Sequence, residues 1–176
     1  GAAYCWGEGT GGQLGNGFFV GSSDPVRVAI GLSFTALSAN GGHACGLTAS
    51  GAAYCWGEGA DSTGGNSAVP VRVIGGQTFS GLSAGTRHIC ALTALGEAYC
   101  WGRNDEGELG DGTFVSSAAP VRVSGSIRFG ALTASQHSCG MTVTGIAFCW
   151  GDNTFGQLGD GSTTNRGSPV KVVGQP

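Results

Sequence analysis

The chain is built from one sequence unit that occurs four times. Each unit contains an aromatic residue followed by Cys-Trp-Gly, and these tetrads begin at Tyr4, Tyr54, Tyr99 and Phe148. Their tryptophans lie 50, 45 and 49 residues apart. A period of this length fits one four-stranded unit per repeat, and it is far longer than the repeat of a coiled coil. The repeat therefore predicts the architecture, whereas we expect function where the units differ.

Glycine accounts for 36 of the 176 residues, and only 11% of the residues are charged. Because glycine weakens helices and supplies the positive φ angles of tight turns, this composition predicts many short strands and almost no helix. The formal net charge is -3, so the chain offers no basic field to a phosphate backbone, and we expect no nucleic-acid partner. The apolar stretches are too short for a membrane-spanning helix, and we expect no membrane insertion.

A glycine-rich connection follows each tryptophan and leads to a Pro-Val-Arg-Val or Pro-Val-Lys-Val segment. The interval from tryptophan to proline is 19 residues in three units and 14 in the second, so the second connection has lost five residues. A proline at the start of this segment indicates an edge strand, because proline cannot donate to a ladder. A phenylalanine segment then precedes the histidine and cysteine of the next unit.

Six of the seven cysteines form pairs that are ten residues apart: Cys45 with Cys55, Cys90 with Cys100, and Cys139 with Cys149. If paired cysteines face each other across a hairpin, each copy leaves a three-residue loop that ends in glycine. Opposed strand positions are close enough for a disulfide, so we predict three disulfides and a secreted or cell-surface protein. The alternative is free thiols that are buried as small apolar side chains.

Cys5 is the remaining cysteine, and its partner would lie ten residues earlier. We therefore predict that Cys5 is unpaired or forms an intermolecular bond. The chain also begins inside a repeat and without methionine, so we expect it to be a piece of a longer protein.

Adding the phenylalanine and proline segments to the hairpin gives four antiparallel strands per unit, with the proline strand outermost. Such sheets are the blades of a β-propeller. We predict an all-β fold of four-stranded antiparallel blades in an incomplete ring of about three and a half blades. The single repeat domain, 1–176, then comprises a half blade that holds the last two strands of a blade, followed by three complete blades: 1–28, 34–73, 79–123 and 129–172.

Aromatic and imidazole side chains recur at fixed positions in the repeat. They are Trp6, Trp56, Trp101, Trp150, His43, His88 and His137. Because repeated residues record what each unit needs to fold, we predict structural roles, with packed indoles and hydrogen-bonded imidazoles. We expect no metal site, because histidines at one position of successive blades lie a blade spacing apart.

The connections also carry many oxygen donors, which raises calcium binding as an alternative: Asp105, Glu106, Asp111, Asp152, Asn153 and Asp160. No stretch matches the twelve-residue calcium loop, so hydrogen bonding within turns is the preferred interpretation. The sequence contains no nucleophile elbow and no recognisable catalytic triad. We therefore predict neither a cofactor nor enzymatic activity.

Three segments carry a resemblance to a known family. They read HICALTALGEAYCWGRNDEGELGDGTF from His88 to Phe114, FCWGDNTFGQLGDGS from Phe148 to Ser162, and GGQLGNG from Gly11 to Gly17. In them the chain resembles the repeats of the regulator of chromosome condensation family, which build seven-bladed propellers. It is most similar to cysteine-bearing bacterial members, which implies a bacterial source. The resemblance implies little about activity, because members include an exchange factor, a plant photoreceptor and a secreted β-lactamase inhibitor.

Residues that depart from the repeat are the candidates for partner binding: Phe18, Phe19, Arg103, Phe114, Phe155 and Arg166. Exposed aromatic and arginine side chains are common anchors of protein interfaces. We predict an extracellular, non-catalytic interaction scaffold that binds a protein or a glycan through the variable connections. The alternative is a self-associating structural protein that assembles through its open blade edges into an oligomer or filament.

Overall fold

The computed structural model describes residues 1–29, 31–60 and 64–175. These residues form fourteen β-strands and no helix, so none of them belongs to a helix that is long and apolar enough to span a membrane. The predicted all-β fold is confirmed. The strands are β1 (Tyr4–Gly7), β2 (Ser22–Arg27), β3 (Phe34–Asn40), β4 (His43–Thr48), β5 (Ala53–Gly57), β6 (Ser67–Arg72), β7 (Gly81–Ala84), β8 (His88–Leu92), β9 (Ala98–Gly102), β10 (Ser117–Arg122), β11 (Ala131–Ala134), β12 (His137–Met141), β13 (Ala147–Gly151) and β14 (Arg166–Lys171).

Within the described ranges, the strands form one two-stranded and three four-stranded antiparallel sheets. We call the β1–β2 sheet the half blade, and β3–β6, β7–β10 and β11–β14 blades one, two and three. In each blade the strands follow chain order, and the first strands β3, β7 and β11 contact one another in sequence. The prediction of about three and a half propeller blades is confirmed.

The hairpin in the middle of each blade has the register that the cysteine spacing predicts. In blade one Cys45 lies opposite Cys55, and the Thr48 amide donates to the Ala52 carbonyl at 3.0 Å. The loop ends at Gly51, whose φ is +77°. The Gly51 carbonyl accepts from the Phe79 amide of blade two at 2.8 Å, and a Cβ on Gly51 would lie 2.9 Å from the Phe79 carbonyl oxygen. Glycine is needed for both the left-handed backbone and this close approach.

Serine hydroxyls link the first strands of consecutive blades. Ser38 Oγ of blade one accepts from the Ala84 amide of blade two at 2.9 Å. One blade further on, Ser83 Oγ accepts from the Ala134 amide at 3.0 Å. The same bond at the same position indicates that the two interfaces have closely similar geometry.

A phenylalanine packs against a tryptophan within each complete blade. The ring centroids of Phe34 and Trp56 are 5.7 Å apart, and those of Phe129 and Trp150 are 5.8 Å apart. Trp56 and Trp150 are completely buried, in line with the predicted packing role. Trp6 differs from that expectation, since it is 63% exposed. The reason is that the half blade, within the described residues, has no phenylalanine strand to cover it.

All seven cysteines lie in the described residues, and six of them form three pairs at disulfide distance. The Sγ–Sγ distances are 2.13, 2.07 and 2.11 Å for the pairs that begin at Cys45, Cys90 and Cys139. Cys5 has no disulfide partner among the described residues. Its side chain is partly buried, and this burial raises the pKa of the thiol, which keeps it protonated and poorly nucleophilic at neutral pH.

Candidate functional site

The long connections between the third and fourth strands of the blades lie on one face of the propeller. Antiparallel order places them at the same end as the short turns after β3, β7 and β11, and the Glu58 amide accordingly donates to the Gly42 carbonyl at 2.9 Å. We call this the connection face, and the opposite side, which carries the hairpin loops, the hairpin face. The connections are 8–21, 58–66 (described except for 61–63), 103–116 and 152–165.

A buried asparagine holds the β9–β10 connection in shape. The side chain of Asn104 is completely buried, and its amide nitrogen donates to the carbonyls of Thr113 at 3.1 Å and Val115 at 3.2 Å. Its Oδ1 accepts from the Leu109 amide at 2.8 Å. One side chain therefore joins the beginning, middle and end of a fourteen-residue connection.

Asn153 repeats this arrangement in the β13–β14 connection. It donates to the carbonyls of Ser162 at 3.1 Å and Thr164 at 3.0 Å, and it accepts from the Leu158 amide at 3.0 Å. Sequence reasoning missed this role and placed Asn153 among the oxygen donors of turns. The available signal was an asparagine three residues after tryptophan in the third and fourth units, where the first two units have glycine.

The four phenylalanines singled out in the sequence all lie on the connection face and are exposed. Phe18 and Phe19 lie on the β1–β2 connection, Phe114 on the β9–β10 connection and Phe155 on the β13–β14 connection. Their exposed fractions range from 52% to 88%, which is unusual for so large an apolar side chain. Phe114 also lies close to Gly167 of blade three. The four rings are distributed over three connections.

The two arginines singled out in the sequence are partly held by neighbouring carboxylates. Arg103 Nε lies 2.6 Å from Asp105 Oδ2, and Arg166 Nη2 lies 2.7 Å from Asp160 Oδ2. The Ser162 hydroxyl, and in addition Arg166, lower the pKa of Asp160 to about 2, so this pair stays ionised at neutral pH. Both arginines retain partial exposure at the connection face.

Carboxylates of the connections are used mostly within their own turns. Asp111 Oδ1 accepts from the Thr113 amide at 2.9 Å, and Asp160 Oδ1 accepts from the Ser162 amide at 2.9 Å. Hydrogen bonds from Thr154 lower the pKa of Asp152. Within the ranges that the structure describes, no three His, Cys, Asp or Glu side chains come together as a metal-binding group.

Two of the connections pack against the next blade through a turn that contains a buried leucine, which we call a leucine turn. Trp56 Nε1 donates to the Gln13 carbonyl at 3.0 Å, and Trp150 Nε1 donates to the Glu108 carbonyl at 2.9 Å. The leucines that follow, Leu14 and Leu109, are buried. The two turns have the sequences Gly-Gln-Leu-Gly and Gly-Glu-Leu-Gly.

Between blades one and two, the residues that the structure describes include no such turn. The β5–β6 connection is the one that lost five residues, and the Trp101 indole N–H has no hydrogen bond within the described residues. A cavity of about 500 Å³ opens there, lined by residues that include Glu58, Arg87, Ile89, Trp101, Arg103 and Ser117. We call it the inter-blade cavity. Sequence reasoning noted the deletion without predicting the cavity.

The three repeated histidines do not share one hydrogen-bonding pattern. His88 Nε2 donates to Ser138 Oγ of the next blade at 2.7 Å, because the Ser138 hydroxyl proton is directed to the Glu108 carbonyl at 3.1 Å. Burial lowers the pKa of His88 to about 4, so its ring is neutral at physiological pH. The His43 ring is hydrogen-bonded to the backbone of His88 instead, and its buried Nε2 has no partner in the described structure, because Ile89 occupies the position in blade two that Ser138 occupies in blade three.

Two family models match the chain, and both describe the Regulator of chromosome condensation (RCC1) repeat. One matches residues 28–63 and 79–108, and the other matches residues 96–147 and 144–176. Together the matched segments cover well over half of the sequence. None of the curated proteins matches it.

Solved structures with a similar fold include human WBSCR16, at 23% identity and a TM-score of 0.86, and Prp20p from Saccharomyces cerevisiae, at 22% identity and a TM-score of 0.85. Each match covers 98% of this chain but only 48% or 46% of the solved chain, so this chain spans about half their length. The structure of Prp20p was described together with its binding properties to Gsp1p and histones. The CRINKLY WD40 ectodomain of the Arabidopsis thaliana receptor kinase ACR4 matches at 27% identity and a TM-score of 0.52, over 72% of this chain and 43% of that one.

Proposed function

The chain belongs to the Regulator of chromosome condensation (RCC1) repeat family, and from this premise we propose that it is a non-catalytic scaffold whose connection face binds a partner protein. The observation that carries the proposal is the set of four phenylalanines that stand 52% to 88% exposed on that face. Large apolar side chains in such numbers are expected on a soluble surface mainly where a partner covers them.

The order of the connections that carry two of these phenylalanines supports the same proposal. The connections that carry Phe114 and Phe155 are held by the buried side chains of Asn104 and Asn153. A partner therefore meets loops that are already ordered, and little conformational entropy is lost on binding. Ordered loops with exposed aromatic side chains are typical of binding sites on rigid scaffolds.

The proposed location is extracellular. Three cysteine pairs at disulfide distance, all within the described residues, are typical of proteins that fold outside the reducing cytosol. The similarity to the ectodomain of ACR4 agrees with this location. The bacterial source that the resemblance implied remains a prediction.

A protein is favoured over a glycan as the partner. Prp20p, which shares the fold, has described binding properties to two kinds of protein. Glycan sites usually combine an aromatic platform with several convergent polar side chains in a concave pocket. The four phenylalanines instead lie on separate connections, and the nearby Arg103 and Arg166 already bind carboxylates of their own connections.

The experiment is a comparison of partner binding by variants of the two faces. Immobilised protein captures partners from the extracellular fraction of the source, and the purified partner is then titrated against variants. We expect Phe18→Ser combined with Phe19→Ser, and separately Phe155→Ser, to weaken binding at least about tenfold, as loss of a buried aromatic anchor does. The matched control is Leu95→Ser with Val143→Ser, which removes apolar side chains that are 75% and 86% exposed on the hairpin face.

Equal losses from both faces would contradict the proposal, as would binding that depends on the hairpin face alone. A glycan array on the same variants tests the other ligand class. Phenylalanine-dependent binding of a glycan, with no protein captured, would replace a protein partner by a glycan.

Self-association is a second candidate, and one specific observation favours it. Tyr4 and Trp6 are exposed on β1, which within the described residues pairs only with β2, so one edge of this strand is open. Open strand edges with apolar side chains tend to pair with another chain. Light scattering of the purified chain tests this: an oligomer that Trp6→Ser dissociates would support it, and a monomer would exclude it.

A further inference from the structure

From the distribution of charged and apolar side chains we infer that the hairpin face attaches the chain to an anionic lipid bilayer, at the level of the headgroups. The inference goes beyond the proposed function, because it concerns the opposite side of the propeller and a different class of partner. It needs no spanning segment, since only loop side chains and strand ends take part. An attached chain turns its connection face away from the bilayer and leaves the exposed phenylalanines open to a protein.

Each outermost strand carries a basic residue at the end nearest the hairpin face. Arg72 lies opposite Tyr54, and Arg122 lies opposite Tyr99. Each of these tyrosines is the second residue of the strand that leaves the hairpin loop. The four basic residues at this position, all exposed, are Arg27, Arg72, Arg122 and Lys171. The repeat therefore places one positive charge on each complete blade, and one on the half blade, at this side of the molecule.

A fifth cation, Arg128, lies beside the hairpin loop of blade two. The Phe129 amide donates to the Gly96 carbonyl at 2.9 Å, which places Arg128 next to this loop. Glu97, on the same loop, pairs with Arg128 at 2.5 Å and with Arg122 at 3.5 Å. The two arginine side chains are 50% and 45% exposed. One carboxylate thus holds two cations at the surface, and one positive charge of the three groups stays uncompensated.

The hairpin loops of blades two and three carry exposed apolar side chains. Leu95 is 75% exposed and Val143 is 86% exposed. A Cβ on Gly96, the residue after Leu95, would lie 3.5 Å from Cβ of Arg128. Two residues further along the chain, a Cβ on Gly130 would lie 3.2 Å from Cγ1 of Val143. An apolar loop side chain therefore stands on each side of this cation.

Charge is divided unevenly between the two sides of the molecule. The hairpin face carries the five cations and, within the residues that the structure describes, the single carboxylate of Glu97, which leaves a charge of +4. The connections carry, in their described residues, eight carboxylates and one basic residue, Arg103. The net charge of -3 therefore conceals a positive hairpin face, which attracts and orients the chain toward an anionic surface.

Cations combined with apolar loop side chains fit a bilayer better than a soluble polyanion. Each basic residue near an anionic membrane strengthens binding about fivefold. Apolar side chains add to this when they enter the boundary between headgroups and acyl chains, whereas a hydrated polyanion leaves them in water. Charge alone suits both partners, so the exposed Leu95 and Val143 favour the bilayer.

The test is co-sedimentation of the full chain with vesicles of phosphatidylcholine alone and of equal parts phosphatidylcholine and phosphatidylglycerol. We expect binding to the anionic vesicles that weakens with added salt, and little binding to the neutral ones. Arg122→Ser combined with Arg128→Ser should weaken binding at least about tenfold. Leu95→Ser combined with Val143→Ser should weaken it at least about fivefold, because less apolar surface is buried.

Glu97→Gln separates an effect of charge from an effect of folding. It removes the carboxylate next to Arg122 and Arg128, and it should strengthen binding about fivefold, whereas damage to the fold would weaken binding. The matched control is Arg87→Ser, which removes an exposed cation from the turn after β7, on the connection face. Vesicle binding should be unchanged in this control.

Equal binding to neutral and anionic vesicles would overturn the inference, as would equal losses from Arg87→Ser and from the hairpin-face arginine pair. Soluble polyglutamate tests the other class of partner. If it binds as well as the vesicles do, and the variant of Leu95 and Val143 keeps full vesicle binding, the partner is a polyanion and not a bilayer. A chain that ignores anionic vesicles at low salt but binds a protein through its phenylalanines would refute the inference and leave the proposed function intact.

Discussion

Replacing Asn104 by alanine tests whether one buried side chain organises the β9–β10 connection. The side chain makes three backbone hydrogen bonds: it donates to the Thr113 and Val115 carbonyls, and it accepts from the Leu109 amide. The Leu109 residue is completely buried, so its amide cannot bond to water after the substitution. The Thr113 and Val115 residues are exposed, so water can replace the lost donor at their carbonyls.

The magnitude follows from this difference. A buried amide that loses its partner costs about 1 to 3 kcal/mol, and each bond to an exposed carbonyl contributes about 0.5 to 1.5 kcal/mol at most. We therefore expect Asn104→Ala to lower the local free energy of opening by about 2 to 4 kcal/mol. At about 1.4 kcal/mol per factor of ten, this corresponds to exchange of the Leu109 amide that is faster by roughly 30-fold to several hundred-fold.

Native-state hydrogen exchange is the suitable assay, because a repeat array can open locally without global unfolding. The matched control is Asn16→Ala on the β1–β2 connection, where a partly exposed asparagine accepts a single bond from the Phe18 amide at 3.1 Å. We expect a change of about 0.5 kcal/mol or less for the control. An Asn104→Ala variant that exchanges the Leu109 amide no faster than the control does would refute the reasoning.

Three further predictions follow from the other buried groups. Burial lowers the pKa of His88 from 6.5 to about 4, so between these pH values the unfolded chain binds a proton more readily than the folded chain does. The contribution of His88 to the free energy of unfolding is therefore complete above pH 6.5, and it should fall by about 3 kcal/mol as the pH drops to about 4. Denaturant titrations across this range should show a flatter profile for His88→Gln, and an unchanged slope would contradict the assignment. Trp150→Phe removes a hydrogen bond to a buried carbonyl and should lower the free energy of unfolding, measured with denaturant, by about 1 to 3 kcal/mol. Trp101→Phe should lower it less, because the Trp101 N–H is unbonded in the described residues, and equal losses would argue against this difference. Replacing Cys90 and Cys100 by alanine removes a disulfide that joins residues ten positions apart, and should lower the free energy of unfolding by about 2 to 3 kcal/mol. Full stability in the double variant would show that this disulfide contributes little.

The repeat predicts the blades because every unit contains the residues that build them. The ten-residue cysteine spacing gives the hairpin register, since only one pairing places both sulfurs opposite and leaves a glycine to end the loop at positions such as Gly51. The proline segment predicts the outermost strand, because proline cannot donate a hydrogen bond to a neighbouring strand. These inferences need only neighbours in sequence and the alternation of side chains along a strand.

The connection face could be predicted less completely, because its properties depend on contacts between distant segments. The exposure of Phe155 depends on which other segments pack against its ring, and the sequence does not show that. Asn104 looks like an ordinary turn residue until its bonds to residues 9 and 11 positions away are known. The missing partner of His43 Nε2 depends on the identity of Ile89 in the next blade, which only the packing of the two blades reveals.

The leucine turns have a consequence for how such a chain can diversify. Each turn is bonded to its own blade, as by the Ser124 amide to the Gly110 carbonyl, and to the tryptophan of the next blade, so a change of length in one connection alters a single interface. Because only neighbouring units interact in a repeat array, a mutation at that interface has little effect on the stability of the remaining units. A chain of this kind can therefore change one junction at a time without rebuilding the units on either side.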